Sequence, residues 1–168
     1  MAVIDELVQN NEAFARDFDK GDLPMPPAKQ VAIVTCTDAR LHPAKFLGLD
    51  IGDADVIRNA GGRASDDAIR SLIISSQLLG TKEFAVIHHT DCCMLTFTNQ
   101  DLQAKLAETV DVDVSGLDFL PFSDNDDSVR ADVELIRRSP FLPEGTTVSG
   151  YIYDVKTGEL QTVVGPND

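Results

Sequence analysis

Two short apolar runs, each followed by a cysteine or a histidine, restrict the fold of this chain more than any other feature. Val31–Thr35 and Phe84–His88 are rich in apolar residues that do not alternate with polar ones. Such runs are typical of strands buried on both faces of a parallel sheet. Cys36 follows the first run and His89 the second. Because the carboxyl ends of parallel strands meet at one edge of a sheet, we expect Cys36 and His89 to lie close together if these strands are neighbours.

The rest of the chain predicts an alternation of helices and strands around that sheet. Ala54–Ile57 predicts another strand, which the loop Arg58–Arg63 follows, and Thr147–Val164 predicts a hairpin. Helical spacing and capping residues predict helices over residues 2–18, 66–79, 99–108 and 128–138. We expect a single α/β domain over residues 1–168. We expect its mostly parallel central sheet to have the order 2-1-3-4, since a 2-1-3 order would bring Cys36 and His89 to one crevice, with an added C-terminal edge strand and flanking helices.

Composition and charge argue against two classes of partner. The chain has 14 basic and 28 acidic residues, and a formal charge of −14 repels both phosphate backbones and anionic membranes. No apolar run approaches the roughly 20 residues that span a bilayer, and Met1–Glu6 lacks the pattern of a secretion signal. We therefore expect no nucleic-acid partner, no membrane partner and a cytoplasmic location. The acidic stretch 111–127 has no clear periodicity, and its role stays open.

The cysteines and histidines point to a metal site. Three cysteines are too few for a disulfide framework, and in a reducing compartment such thiols are more often ligands or catalytic groups. Cys36, His89 and Cys92 form a donor set that suits tetrahedral zinc, with a fourth position left for water. We expect one Zn²⁺ per chain. Cys93 and His88 are expected to pack or to support the ligands instead.

Asp38 and Arg40 stand directly after the first predicted ligand. A carboxylate two residues from a ligand could itself bind zinc, whereas a bidentate ion pair with Arg40 would keep it away from the metal as a hydrogen-bond acceptor. Both residues are therefore candidate catalytic residues. The simpler interpretation is an ordinary surface ion pair, which contributes little to stability.

Three motifs in this order resemble those of β-class carbonic anhydrases. They are Cys36-x-Asp38-x-Arg40, the Arg58–Gly61 loop and His89-x-x-Cys92. The resemblance extends to Leu23–Pro27 and Gly150–Asp154, and it is closest to the short branch of the class, which includes carbonyl sulfide and carbon disulfide hydrolases. One departure is the residue after Cys92, which is usually glycine in the family and is cysteine here.

The resemblance implies a function, a pocket and an oligomer. It implies that zinc-bound hydroxide hydrates CO2 to bicarbonate, with Asp38 orienting the hydroxide and Arg40 holding Asp38 off the metal. It places the substrate pocket at Ala60 and Gly61. Hydrolysis of carbonyl sulfide or carbon disulfide is the alternative on the same scaffold. The resemblance also implies a homodimer or homotetramer, with the helix near residues 2–18 packing on a partner subunit.

Two alternatives of other kinds stay open from the sequence. The first is a structural-zinc or redox-sensing module in which the thiols bind metal without turnover. The second is a thiol enzyme that uses Cys36 as the nucleophile and His89 as its base. Metal analysis separates the thiol enzyme from the zinc proteins, and an activity assay separates catalysis from structure.

Overall fold

A computed structural model describes residues 2–168 of the chain. Five strands in it form one sheet, with the bounds β1 Val31–Cys36, β2 Ala54–Asn59, β3 Glu83–His89, β4 Thr147–Tyr153 and β5 Leu160–Val164. The strand order is β2-β1-β3-β4-β5. The first four strands pair in parallel, and β5 pairs antiparallel to β4. The predicted sheet order and the edge strand are thereby confirmed.

The helices lie where the sequence predicts them, with one addition. Their bounds are α1 Val3–Arg16, α2 Pro43–Leu47, α3 Asp66–Leu79, α4 Asn99–Ala107 and α5 Asn125–Arg137. Short 3₁₀ turns cover Ala60–Gly62 and Cys93–Leu95. Within residues 2–168, no helix combines the length and apolar character that crossing a bilayer requires.

Two element boundaries differ from the prediction, and one short helix is additional. Strand β2 includes Arg58 and Asn59, which we expected in a loop, because they pair with the last residues of β1. Helix α5 begins at Asn125 and not at Ser128, because the Asp124 side chain caps it by accepting from the amide of Asp127. The short helix α2 was not predicted. In it, the amide of Lys45 donates to Nδ1 of His42, which was expected to be solvated and is exposed.

The hydrophobic core lies on one face of the sheet, beneath α3 and α5. Its strand residues include Val34, Val86 and Val148, and its helix residues include Leu72 and Ile136. Alternate strand residues point to the other face, as the pleat requires. There, Ile33, Ile87, Tyr151 and neighbouring residues line a groove of about 390 Å³.

Helix α1 contributes nothing to that core. None of its residues is buried. Its apolar side chains and that of Phe18 just beyond it are exposed, namely Val3, Ile4, Leu7, Val8, Phe14 and Phe18. Thus the protomer leaves both a sheet face and an amphipathic helix without full cover.

Gly150 sets the distance between α5 and the sheet. A Cβ at this position would overlap Val129 Cγ1 and lie 2.9 Å from Val133 Cγ2. We therefore expect Gly150→Ala to lower the free energy of unfolding by about 1–3 kcal/mol, since overpacking a core forces side chains or backbone to shift. Urea denaturation measures the change.

The control for this prediction is Gly116→Ala, because a Cβ at Gly116 meets nothing within 4 Å. A second variant, Val129→Ala with Gly150→Ala, should recover part of the loss that the new methyl group causes. Equal stability of Gly150→Ala and Gly116→Ala would contradict the proposed contact between α5 and β4.

Candidate metal centre

The three predicted ligands come together at the carboxyl end of the sheet. Cys36 ends β1 and His89 ends β3, and these strands are parallel neighbours. Cys92 follows a tight turn in which Asp91 has a φ of 55°. One ligand atom from each of Cys36, His89 and Cys92 lies within 4.8 Å of the others, and all three residues are buried.

The hydrogen bonding of His89 fits a metal ligand. Its Nδ1 lies 2.8 Å from the carbonyl oxygen of Thr90, which places the ring proton on Nδ1. Its Nε2 is buried and has no hydrogen-bond partner. A buried nitrogen lone pair without a partner is unfavourable unless a cation occupies its direction. Two sulfurs and this nitrogen therefore fit zinc, whose tetrahedral coordination takes a fourth ligand.

The two sulfurs are electrostatically matched to a divalent cation. The Cys92 side chain lowers the pKa of Cys36 most strongly; burial opposes this, and His89 and the amides of Asp38 and Gly61 lower it further. The pKa of Cys92 is raised, first by Cys36 beside it and then by burial. One thiolate therefore forms readily and the second is disfavoured by the first. A bound cation stabilises both thiolates, because metal ligation displaces thiol protons.

Asp38 and Arg40 form the bidentate pair that the sequence suggested. Arg40 Nε donates to Asp38 Oδ1 at 3.0 Å, and Arg40 Nη2 donates to Oδ2 at 2.7 Å. Arg40 Nη2 also donates to the carbonyl oxygen of Asp91 at 3.0 Å. The guanidinium thus links the loops after β1 and β3.

This pair keeps Asp38 ionised beside the ligands. The hydrogen bonds from Arg40 hold the pKa of Asp38 well below its usual range. Asp38 Oδ2 lies 3.8 Å from His89 Nε2, close to the ligand atoms yet bound to Arg40. The carboxylate can therefore accept a hydrogen bond from a molecule at the metal centre.

Arg58 belongs to one of the three sequence motifs, which assigned it no role of its own, and it contacts the site directly. Its Nε donates to the carbonyl oxygen of Cys36 at 2.9 Å, and its Nη2 donates to that of Asp38 at 2.8 Å. The feature that could have identified its role is its place on the strand beside β1, where it pairs with Thr35. Arg58 thus holds the backbone that carries both a ligand and the carboxylate.

The predicted pocket loop packs directly against the first ligand. Gly61 is buried, whereas Ala60 is exposed. At Gly62, φ is +69° and an added Cβ would lie 3.0 Å from the backbone nitrogen of Cys36. Only glycine allows this conformation and this approach without strain. The loop and the Cys36 backbone therefore form one rigid unit.

The remaining candidate residues lie outside the ligand group. His88 is fully buried, and its Nε2 lies 3.1 Å from Asp132 Oδ2. Cys93 is exposed and does not have a positive φ, so its backbone does not require the glycine usual in the family. Asn125 was missed: its Nδ2 donates to the carbonyl oxygen of His89 at 3.0 Å.

Comparisons with known proteins agree with this geometry. The family model described as "Carbonic anhydrase" matches residues 31–116. Beta-carbonic anhydrase 1 of Mycobacterium tuberculosis is 44% identical over 165 residues, which cover 97% of this chain and 99% of that protein. A carbon disulfide hydrolase of Saccharolobus solfataricus is 32% identical, over 94% of this chain and 87% of that protein.

A solved structure extends the agreement to the whole fold. The carbonic anhydrase from Streptococcus mutans is 49% identical and superposes with a TM-score of 0.93, covering 97% of this chain and 98% of that one. The family match, these identities and the Cys36–His89–Cys92 group together show that the chain belongs to the β-carbonic anhydrase family.

Proposed function

We propose that this protein is a zinc-dependent carbonic anhydrase, which combines CO2 with water to give bicarbonate and a proton. One observation carries the proposal: the unpartnered Nε2 of His89 faces two sulfurs and lies 3.8 Å from an ionised carboxylate. The names of the most similar relatives support the same activity.

The roles of the residues follow from their contacts. Cys36, His89 and Cys92 would hold zinc, which when bound supplies a water acidic enough to serve as a nucleophile near neutral pH. Asp38 would accept a hydrogen bond from that nucleophile and orient it. Arg40 occupies both oxygens of Asp38 and so keeps the carboxylate out of the ligand set. We place the substrate carbon next to Asp38, beside Ala60 and Gly61.

A second candidate is hydrolysis of carbon disulfide or carbonyl sulfide. The 32% identity to a carbon disulfide hydrolase over nearly the whole chain supports it. In both reactions the same nucleophile attacks the carbon of a linear molecule. The size of the pocket determines whether a substrate with oxygen ends or one with the larger sulfur ends is accepted. Rates on CO2, carbonyl sulfide and carbon disulfide, measured side by side, rank the three substrates.

Removal of the metal tests whether zinc is catalytic. We expect the purified protein to contain about one zinc per chain and to hydrate CO2, and a strong chelator to abolish that activity until zinc is restored. Cys36→Ala should lose the metal, and Cys93→Ser should retain it. Zinc analysis and stopped-flow CO2 hydration measure the metal content and the activity.

Zinc-loaded protein without turnover would instead indicate a structural or redox-sensing module, and metal-free activity would indicate a thiol enzyme.

The pair of Asp38 and Arg40 can be tested separately from zinc binding. Asp38→Asn should keep zinc and lower kcat/KM for CO2 by about 100-fold, because it removes a positioned proton acceptor. Arg40→Ala should free the carboxylate to bind zinc, which raises zinc affinity while activity falls. Arg70→Ala, which breaks the exposed pair with Asp67, is the control. Unchanged zinc affinity in Arg40→Ala would contradict the proposal that Arg40 keeps Asp38 off the metal.

We further propose a cytoplasmic homodimer or homotetramer in which α1 packs on a partner subunit. The three cysteines are free thiols, as is usual in a reducing compartment. Parallel sheets are ordinarily covered on both faces, and here the second face is only partly covered: Ile33 and Ile87 are buried within the protomer, whereas Tyr151 is half-buried and Leu160 is exposed. The apolar stripe of α1 has no partner in its own protomer. A reciprocal exchange between two copies would cover both surfaces.

A charge on the apolar face of α1 tests this assembly. Leu7→Glu should shift the sedimentation coefficient from that of a dimer or larger species towards that of a monomer, because it buries a carboxylate in the interface. Gln9→Glu adds the same charge on the opposite face of α1 and should leave the assembly intact. Equal behaviour of the two variants would exclude this face from the interface.

A further inference from the structure

A buried ion pair lies outside the ligand group and has no role so far. Arg63 Nε donates to Asp132 Oδ2 at 2.8 Å, and Arg63 Nη2 donates to Oδ1 at 3.2 Å. The side chains are only 15% and 3% exposed. Fully buried His88 lies against the same carboxylate. The desolvation penalty of a buried ion pair can exceed the attraction between its charges, so burial alone does not indicate a stabilising role for this pair.

The pair joins four parts of the chain. Asp132 is on α5, Arg63 follows the Ala60–Gly62 turn, and His88 is on β3. Arg63 Nη1 extends the connection by donating to the carbonyl oxygen of Leu120 at 2.6 Å. Leu120 lies in residues 108–124, which contain no helix or strand, and it has a φ of +56°. A non-glycine residue in this conformation needs outside contacts to hold it.

Phe122, two residues further on, is held by the same groups. Its ring stacks on His88 with centroids 5.2 Å apart, and the Arg63 guanidinium lies 5.5 Å from its centroid. The amide of Phe122 donates to the carbonyl oxygen of Met94 at 3.2 Å. The ion pair, its histidine, this backbone hydrogen bond and the apolar cluster around Met94 therefore all hold the ring in place.

The ring stands between the metal centre and a surface depression. On one side, Phe122 packs against the apolar cluster that contains Cys36, Cys92 and Met94. A Cβ added to Gly61 would lie 3.2 Å from Phe122 Cε1. On the other side, the ring lines a depression of about 480 Å³ formed by residues 95–101 and 121–123. Loss of the ring would remove one of the three side chains that pack beside Gly61, the others being Met94 and Arg63.

We propose that Phe122 limits the size of the substrate accepted beside Gly61, and that the Arg63–Asp132 pair is the positioning element that keeps the ring there. This inference rests on the proposed function and goes beyond it, because it assigns the choice between CO2 and bulkier sulfur analogues to three residues outside the ligand group. Carbon disulfide is longer than CO2, and its ends are more voluminous and polarisable. A fixed ring excludes it more than CO2.

Hydrogen exchange tests the positioning half of the proposal without activity. In Arg63→Met, the peptide covering residues 117–123 should exchange at least about 10-fold faster, because local opening frees the Phe122 amide from Met94. The variant Arg63→Met with Asp132→Asn removes both charges, so it avoids an unpaired buried carboxylate if the single variant folds poorly. Arg70→Met, which breaks an exposed pair, is the control. Unchanged exchange in a folded variant would overturn the positioning role.

Substrate preference tests the other half on zinc-loaded protein. Phe122→Ala should raise the ratio of kcat/KM for carbon disulfide to that for CO2 by about 10-fold, in the range that one pocket contact contributes. Arg63→Met should raise the ratio in the same direction, and Arg63→Lys, which keeps the charge, should raise it less. Adding Arg63→Met to Phe122→Ala should change the ratio little, since Arg63 acts through the ring.

The outcomes separate this inference from the proposed function. A wild-type protein that binds zinc and converts neither substrate overturns the proposed function, and size selection falls with it, while hydrogen exchange still decides whether the pair holds the segment. An active wild type whose ratio is the same in Phe122→Ala and Arg63→Met overturns only the inference. Additive effects in the combined variant would contradict action through Phe122.

Discussion

The parallel pairing of β1 with β3 is the interaction on which the metal centre depends. In that register Thr35 lies opposite Ile87, so that Cys36 and His89 leave the sheet at the same edge. Both strands are buried beneath α3 and α5, and close-packed cores shift little. The packed core therefore determines the relative positions of Cys36 and His89. Cys92 needs only the short turn after β3 to join them.

Backbone contacts at that edge then refine the site. Arg58 holds two carbonyl groups of the loop after β1, and Gly62 packs against the amide of Cys36. Arg40 joins the loop after β1 to the turn before Cys92 through Asp38 and the carbonyl of Asp91. Arg40 and Arg58 each donate at least two hydrogen bonds through a planar guanidinium group, which fixes direction as well as distance. The carboxylate of Asp38 is thus ionised and oriented before any substrate arrives.

Local patterns and tertiary contacts differ in how well the sequence predicts them. The apolar runs Val31–Thr35 and Phe84–His88, the helical pattern over residues 66–79 and the hairpin over residues 147–164 are short-range signals, and the structure contains the elements they predict. The end of β2 was misplaced because it depends on pairing with β1, whereas the start of α5 was misplaced although its Asp124 cap is a local signal. Arg63 and Asp132 are 69 positions apart, and no local periodicity connects such a pair.

The sequence alone determined the strand set and the group Cys36, His89 and Cys92 as candidate ligands, because donor chemistry and strand periodicity are properties of short segments. Tertiary structure alone decided which face of the sheet is only partly covered, that Arg58 donates to the carbonyl oxygens of Cys36 and Asp38, and that Phe122 contacts both His88 and Arg63. The physical reason is that these features arise from packing between distant segments, whose relative positions are set only when the core closes.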